Sequence, residues 1–405
     1  MPKIIALATV LKAIDDARNF EKLGLFFAYQ NPENQVHVIG FDNGTSPEML
    51  LEKVGGVVAE DRGAIFFHPL FRFSRLSPRR LGAGFRLLKW LLRFRPQIVL
   101  IGAVELLWVG FLYKVGYDFF CFLFLKSKNQ KTRLFYDMRE NYYRNIRYQK
   151  VYPAFLKRSL AGAVRLYERF FTKFYEGILV AERCYAVEIG FLSKRKYEVI
   201  ENKFKPNVFL SDPALQVAKK SNEWLLTGTF TEVYGTLEGI AFFEKLQAHL
   251  PLFAFHLQVV GYAPSAAYRE KIREWVEKSP FSAAITLDLA ACPLPHSKIL
   301  AALQRTSYLL LPYLPNASTQ NCIPTKLYEG LFFKNKILIQ NNPFWQKEFA
   351  SFNACFFVDF RKPTSHLFSE TAFLAWLNQS PAQEAPSEAI LWQGEAKKLA
   401  RFLQS

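Results

Sequence analysis

Residues 309–340 read LLLPYLPNASTQNCIPTKLYEGLFFKNKILIQ, an order of residue types that sets out a strand, a polar loop, a helix and a second strand. The apolar run Tyr308-Leu309-Leu310-Leu311 stops at Pro312, which cannot donate to a sheet ladder. Pro324 stands where a first helical residue is expected, because the N–H it lacks has no partner there anyway. Such a helix brings its N-terminus to the carboxyl edge of the sheet, where free amides and a partial positive charge favour an anion. The amides near Thr325 and Lys326 are therefore candidates for holding a phosphate, and Glu329 follows on the same helical face. A cation suits a diphosphate, and a carboxylate suits a ribose diol, which can give it two hydrogen bonds. The same two residues also read as an ordinary Lys–Glu ion pair at helical spacing.

Outward from this stretch the chain alternates short apolar runs with helical segments. In the N-terminal half, strands are expected at residues 3–8, 36–39, 64–67, 98–101, 133–136, 177–180 and 197–200. After the polar segment Glu201–Asn207, a second set is expected at 224–227, 255–260, 284–287, 308–311, 336–339 and 355–358. Near-continuous apolar strands separated by crossovers are the pattern of parallel sheets covered on both faces. The expectation is an α/β chain of two tandem Rossmann-like, doubly wound domains, residues 1–205 and 206–380, with a final amphipathic helix at 386–405. A chain of 405 residues has room for two such cores.

Composition narrows the function classes. Half the residues are hydrophobic and 21% charged, which excludes a disordered chain. The five cysteines are scattered, form no CxxC and are odd in number, so reduced thiols and a cytoplasmic location are expected. The N-terminal apolar run reads as a first strand rather than a secretory signal. Residues 98–125 are apolar but interrupted by Glu105, Lys114 and Asp118, which argues against a membrane span. P-loop, nucleophile-elbow, HExxH and zinc-spacing motifs are all absent from the sequence, and the six dispersed histidines suggest no metal site.

The net charge of +17 is unevenly spread. Residues 1–207 hold 34 Lys and Arg against 19 Asp and Glu, a surplus of 15. Residues 71–95, FRFSRLSPRRLGAGFRLLKWLLRFR, contain eight cations and no carboxylate. From Pro78 the spacing of Leu81, Phe85, Leu88 and Leu92 against Arg80, Arg86, Lys89 and Arg93 predicts a basic amphipathic helix over 78–95. That is either an interfacial helix on an anionic membrane surface or a core helix with a solvated basic face. Without an RNP, KH or zinc-knuckle motif, nucleic acid is not the expected partner.

Ligands of open α/β sheets bind at the carboxyl ends of the strands. In the second half these ends carry Gly228, Thr229, Gly261 and Tyr262, where glycines let backbone amides approach a diphosphate and the tyrosine can flank a base. In the first half they carry Asp15, Asp16 and Arg18, then Glu105, then Asp137 and Glu140. Glu140 is a candidate for binding or deprotonating an acceptor hydroxyl, or else a helix-capping carboxylate.

The segment PTKLYEGLFFKNKILI resembles the donor-binding segment of family 4-like glycosyltransferases of the GT-B fold, which runs P-x-K-x-x-E, a short helix, then a turn into an apolar strand. Leu134 to Tyr142 resembles the same family's Y-D-x-H-E, with Arg139 in place of the histidine. The resemblance implies two domains facing a central cleft, the first binding the acceptor and the second the donor, with the final helix packing back on the first. It implies a hexosyltransferase-type enzyme that needs no metal or other cofactor. A sugar would move, with retention, from a nucleotide diphosphate to a glycan or lipid-linked acceptor, as in lipopolysaccharide or capsule assembly. The basic half suggests a peripheral position on the cytoplasmic face of the membrane. The implied catalytic residues are Glu140, Asn321 and Lys326. The implied donor contacts are Gly228, Thr229, Gly261, Tyr262, Pro324, Thr325, Lys326 and Glu329, and the implied acceptor contacts Asp16, Arg18, Glu105, Asp137 and Arg139. Asn321 occupies the place of a glutamate that relatives carry eight positions before Glu329. A GT-B protein that binds a sugar nucleotide or glycan without transferring it, and a basic membrane-peripheral scaffold, are the rival readings.

Overall fold

The computed structural model describes residues 2–14, 16–42, 64–70, 79–120, 131–148, 152–206, 218–362, 365–379 and 388–405. Asp15, Asn207 and residues 71–78, 121–130 and 380–387 fall outside them. The chain divides into two units, Met1–Phe209 with Trp392–Ser405, and Leu210–Leu391.

The first unit is built on a seven-stranded sheet, β1 (Ile4–Ala13), β2 (Gln35–Phe41), β3 (Ala64–Pro69), β4 (Ile98–Ile101), β5 (Arg133–Met138), β6 (Gly177–Val180) and β7 (Tyr197–Val199), in the order β3-β2-β1-β4-β5-β6-β7. The second is built on six strands, β8 (Lys220–Thr229), β9 (His256–Tyr262), β10 (Ile285–Ala290), β11 (Thr306–Leu311), β12 (Lys336–Gln340) and β13 (Cys355–Val358), in the order β10-β9-β8-β11-β12-β13. All pairings in both sheets are parallel. Each order reverses direction once, between β1 and β4 and between β8 and β11, the arrangement of a Rossmann-like domain.

Every residue of β4, β6, β11 and β12 is buried, and their middles are apolar, as expected of strands covered on both faces, with polar residues such as Thr306, Lys336 and Gln340 at their ends. The core of the second unit joins Trp224, Leu226, Leu257, Val259, Phe242 and Phe243, with Tyr308 stacked on Trp224 at 4.3 Å between ring centroids. In the first unit β1 runs on through Lys12 to Ala13, beyond the expected end at Ala8, and the following helix begins as a wide π-type segment, Arg18–Gly24, before the α-helix Leu25–Gln30.

The final helix, Trp392–Gln404, belongs to the first unit, where Trp392, Leu399, Phe402 and Leu403 join the core around Phe27 and Phe135. Its Glu395 is fully buried and accepts the Glu201 N–H at 2.9 Å, the Lys203 ammonium at 2.9 Å and the Lys398 ammonium at 2.8 Å. No helix among the described residues is long and apolar enough to cross a membrane.

The basic helix spans Arg79–Phe94, but its inward face differs from the expected one. Ala83, Leu87 and Leu91 are buried, whereas Phe85 is 67% and Leu92 52% exposed. Small residues decide this: Gly84 lies so close to Trp108 that an added Cβ would come within 2.6 Å of its ring. Close approach favours the small-residue face, and the larger side chains turn outward.

Removing the Glu395 carboxylate leaves the buried Lys203 with only Glu201, 3.8 Å away. Glu395→Ala should therefore destabilise the first unit by roughly 3 kcal/mol, read by calorimetry as a lower melting transition. An unchanged transition would mean that the buried ion network contributes no net stability.

Candidate functional site

The carboxyl ends of β8, β9 and β11 surround a cavity of about 420 Å³ in the second unit. Its floor is set by two glycines paired across neighbouring strands, Gly228 on β8 and Gly261 on β9. Gly228 takes φ +123°, a region that strains any other residue, and a Cβ on Gly261 would come within 2.2 Å of the Gly228 carbonyl oxygen. Both glycines and their successors Thr229 and Tyr262 are the last strand residues rather than loop residues, and all four line the cavity.

The helix Thr325–Phe332 points its N-terminus at this space. Pro324 stands one place earlier than the sequence suggested, at the cap, with φ −62° and ψ 127°, and no side chain caps the helix there. Leu327, Tyr328 and Leu331 anchor it by burial, and Lys334, at φ +57°, ends it with a left-handed turn before β12. Pro324, Thr325 and Lys326 line the cavity, and the Lys326 side chain lies against Gly228, whose added Cβ would sit 4.0 Å from the Lys326 Cε.

Glu329 stands behind this wall, 6% exposed. Its Oε2 accepts from the Lys326 ammonium at 2.7 Å, and its Oε1 lies 3.1 Å from His296 Nε2. Burial alone would raise its pKa, but Lys326 and His296 outweigh that and hold it at about 2. The carboxylate is thus ionised and fixes two cavity-lining groups, Lys326 and His296, in place. His296 opens the helix His296–Arg305 after the run Cys292-Pro293-Leu294-Pro295, and no local pattern marks it. The pairing depends on a contact across 33 residues that only the β10-to-β11 crossover creates.

The polar loop between β11 and this helix is held from two sides. Asn316 Oδ1 accepts the Ser318 and Thr319 N–H groups at 3.0 and 3.1 Å, an Asx turn. Asn342 Nδ2 donates to the Gln320 carbonyl at 2.6 Å, while its Oδ1 caps the helix Pro343–Phe349. Trp345 Nε1 donates to the Cys322 carbonyl at 3.0 Å. Thr319, Gln320 and Cys322 line the cavity, and Asn321 is not among its lining residues. Tyr313 and Tyr234 add aromatic wall, edge to face at 5.2 Å, with the Tyr313 hydroxyl pushed up by burial and by Tyr234 and Glu329.

In the first unit, four of the named residues meet in an interior ion cluster. Arg18 donates to both oxygens of Asp137, at 3.0 Å from Nε and 2.7 Å from Nη2, and to the Ile200 carbonyl at 2.8 Å. Arg139 donates to Asp137 at 2.7 Å, to Asp16 at 2.9 Å and to the Asn19 amide oxygen. Arg18 is 4% and Asp137 1% exposed, so these two sit in the interior rather than on an open wall. Burial would raise the Asp137 pKa, and the two guanidinium groups reverse it to below the usual carboxylate range. Arg139 fills the place of a histidine by pairing with two carboxylates at once. Glu140 is more open, 3.4 Å from the Lys12 ammonium and accepting from Asn145 Nδ2 at 2.9 Å. Glu105 lies in the turn Val104–Leu106 after β4, and both Glu140 and Glu105 act on half-buried Tyr142, whose hydroxyl is pushed well up, first by burial and then by these carboxylates. Among the described residues no group of three or more His, Cys, Asp or Glu is placed to hold a metal ion.

No family model and no curated protein matches the chain. Solved structures match over its whole length. The chain is similar to a glycosyltransferase from Rickettsia africae (TM-score 0.62, 13% identity, covering 100% of this chain and 98% of that one). It is similar to HepE from Anabaena in complex with UDP (TM-score 0.57, 10% identity, 99% and 99%). It is also similar to UDP-GlcNAc 2-epimerase from Methanocaldococcus jannaschii (TM-score 0.56, 11% identity, 100% and 99%). With its two parallel-sheet units, the chain has the GT-B fold.

A folded-state pKa of about 2 against the ordinary 4.5 means that Glu329 contributes stability in full above pH 4.5 and loses it as pH falls toward 2. Glu329→Gln, neutral at every pH, should unfold more easily than the parent at pH 7, by about 3 kcal/mol, and the gap should close between pH 4.5 and 2. Urea titrations across that range measure it. A gap independent of pH would show that the ion pairs with Lys326 and His296 add nothing.

Proposed function

We propose that the protein is a glycosyltransferase whose second unit holds a nucleotide diphosphate sugar. The observation that carries this reading is the uncapped N-terminus of the Thr325–Phe332 helix opening, with Lys326, onto a cavity whose floor is the Gly228–Gly261 pair. A departing nucleoside diphosphate develops negative charge, and amides, a helix dipole and an ammonium already in place stabilise it without reorganisation. Gly228 and Thr229 then border the diphosphate, Tyr262 flanks the base, and Glu329 keeps Lys326 and His296 aimed at the phosphates and ribose. UDP is the first nucleotide to test, because HepE was solved with UDP and the epimerase is named for a UDP sugar.

Among the residues of the first unit, Glu140 and Glu105 suit an acceptor best, since Arg18 and Asp137 are committed to each other. In this reading the reaction retains configuration without a metal. The sugar passes to a glycan or lipid-linked acceptor at the cytoplasmic membrane face, in polysaccharide or lipopolysaccharide assembly. The charge surplus of the first half supports an anionic lipid environment.

A thermal-shift series with UDP-, GDP-, ADP- and CMP-linked sugars tests the donor site. One nucleotide class should raise the melting temperature, and Lys326→Met should weaken that ligand at least about tenfold. Slow release of free sugar from the same donor marks a transferase, and an epimerised donor marks the other chemistry found on this fold. Equal affinity in Lys326→Met would remove the basis of the assignment.

A further inference from the structure

We propose that the helix Ala154–Phe171, with its neighbour Leu107–Phe120, lies flat on an anionic lipid bilayer and docks the first unit there. The proposal rests on the membrane-facing reading above and names the surface responsible. This helix is amphipathic in the inverted sense. Its inward side consists of Ala161, Glu168 and, at its C-terminal end, Thr172, all buried. Glu168 accepts the Tyr136 hydroxyl at 2.8 Å and the Arg165 guanidinium at 2.8 Å, so a polar anchor fixes which side faces the sheet. The apolar side is left outward: Phe155 is 80%, Leu166 67%, Phe170 50% and Leu156 46% exposed.

The face continues onto the neighbouring helix. Phe111 packs against Phe174 at 4.4 Å and Phe171 at 5.8 Å, and on the same helix Leu112, its next residue, and Val115, one turn on, are 45% and 51% exposed. Large apolar side chains exposed together along one side of a helix on a water-facing domain mark something that covers them. Charge selects the occupant. Arg158, Arg169 and Lys173 are exposed along the border of the apolar side, and the only carboxylate of the helix, Glu168, is buried and paired. A second copy meeting this face two-fold would set cations against cations, whereas anionic headgroups complement them. With 18 residues the helix has the length for lying in the interface, and no described helix is long and apolar enough to cross.

The test is sedimentation of the full chain with vesicles of equal parts phosphatidylglycerol and phosphatidylcholine, and with phosphatidylcholine alone. The parent should bind the mixed vesicles, and high salt should weaken that binding. Phe155→Ser/Leu166→Ser/Phe170→Ser should reduce it at least about tenfold while keeping the parent's melting temperature and nucleotide-sugar shift. Arg158→Glu/Arg169→Glu should reduce binding to the mixed vesicles by a similar factor, with no change on phosphatidylcholine. Equal vesicle binding by parent and triple-serine variant overturns the proposal. So does a parent that ignores vesicles and forms a dimer which the serine variant dissociates. Variant-sensitive vesicle binding without any nucleotide-sugar shift would leave the docking face standing and remove the transferase reading; the converse result would remove the face alone.

Discussion

A parallel strand buried on both faces keeps its middle apolar and carries charge near its ends, as at Lys336, the first residue of β12, and this constraint arranges the candidate site. In β11 and β12 every residue is buried, so the polar groups of residues 312–326 are pushed to the carboxyl edge. There the sheet order reverses between β8 and β11, and the crossovers depart to opposite sides and leave a crevice. The cavity at that point is a consequence of topology. Its chemistry is a consequence of which residues the ends of the strands deliver: two glycines that bring backbone close, and a helix N-terminus that brings positive potential.

Glu329 converts that potential into a fixed geometry. A carboxylate with 6% exposure is costly to ionise, and it stays ionised because Lys326 and His296 each engage one of its oxygens. The ammonium retains further N–H donors for a phosphate, and its position no longer depends on the ligand. Preorganisation of this kind is what distinguishes a charge-stabilising site from a surface lysine. The first unit uses the same physics: Arg18, Asp137, Arg139 and Asp16 neutralise one another at the carboxyl ends of β1 and β5, with Arg18 and Asp137 in the interior.

Much of this was legible in the sequence, for reasons that also explain the rest. The runs around Leu225, Leu309 and Ile337 are apolar without alternation, and only a two-sided parallel sheet asks for that pattern. The pairing of Lys326 with Glu329 follows from helical spacing. His296, Asn342 and Trp345 were not legible, since each reaches the site through a tertiary contact that no local pattern encodes. The basic helix shows a further limit. Periodicity identifies an amphipathic helix but weights large side chains, and here Ala83 and Gly84 set the inward face because Gly84 packs closely against Trp108. In Ala154–Phe171 a single buried carboxylate, Glu168, outweighed a stripe of leucines and phenylalanines in setting which side turns inward.

The central claim is that the β8–β11 crevice is a nucleotide diphosphate site organised by the Lys326 helix. A crystal structure of the chain with UDP tests it most directly. The account predicts the diphosphate within hydrogen-bonding reach of the Thr325 and Lys326 amides and the Lys326 ammonium, beside Gly228, with the base toward Tyr262. A nucleotide seated anywhere else on the chain, with the cavity empty, would contradict it.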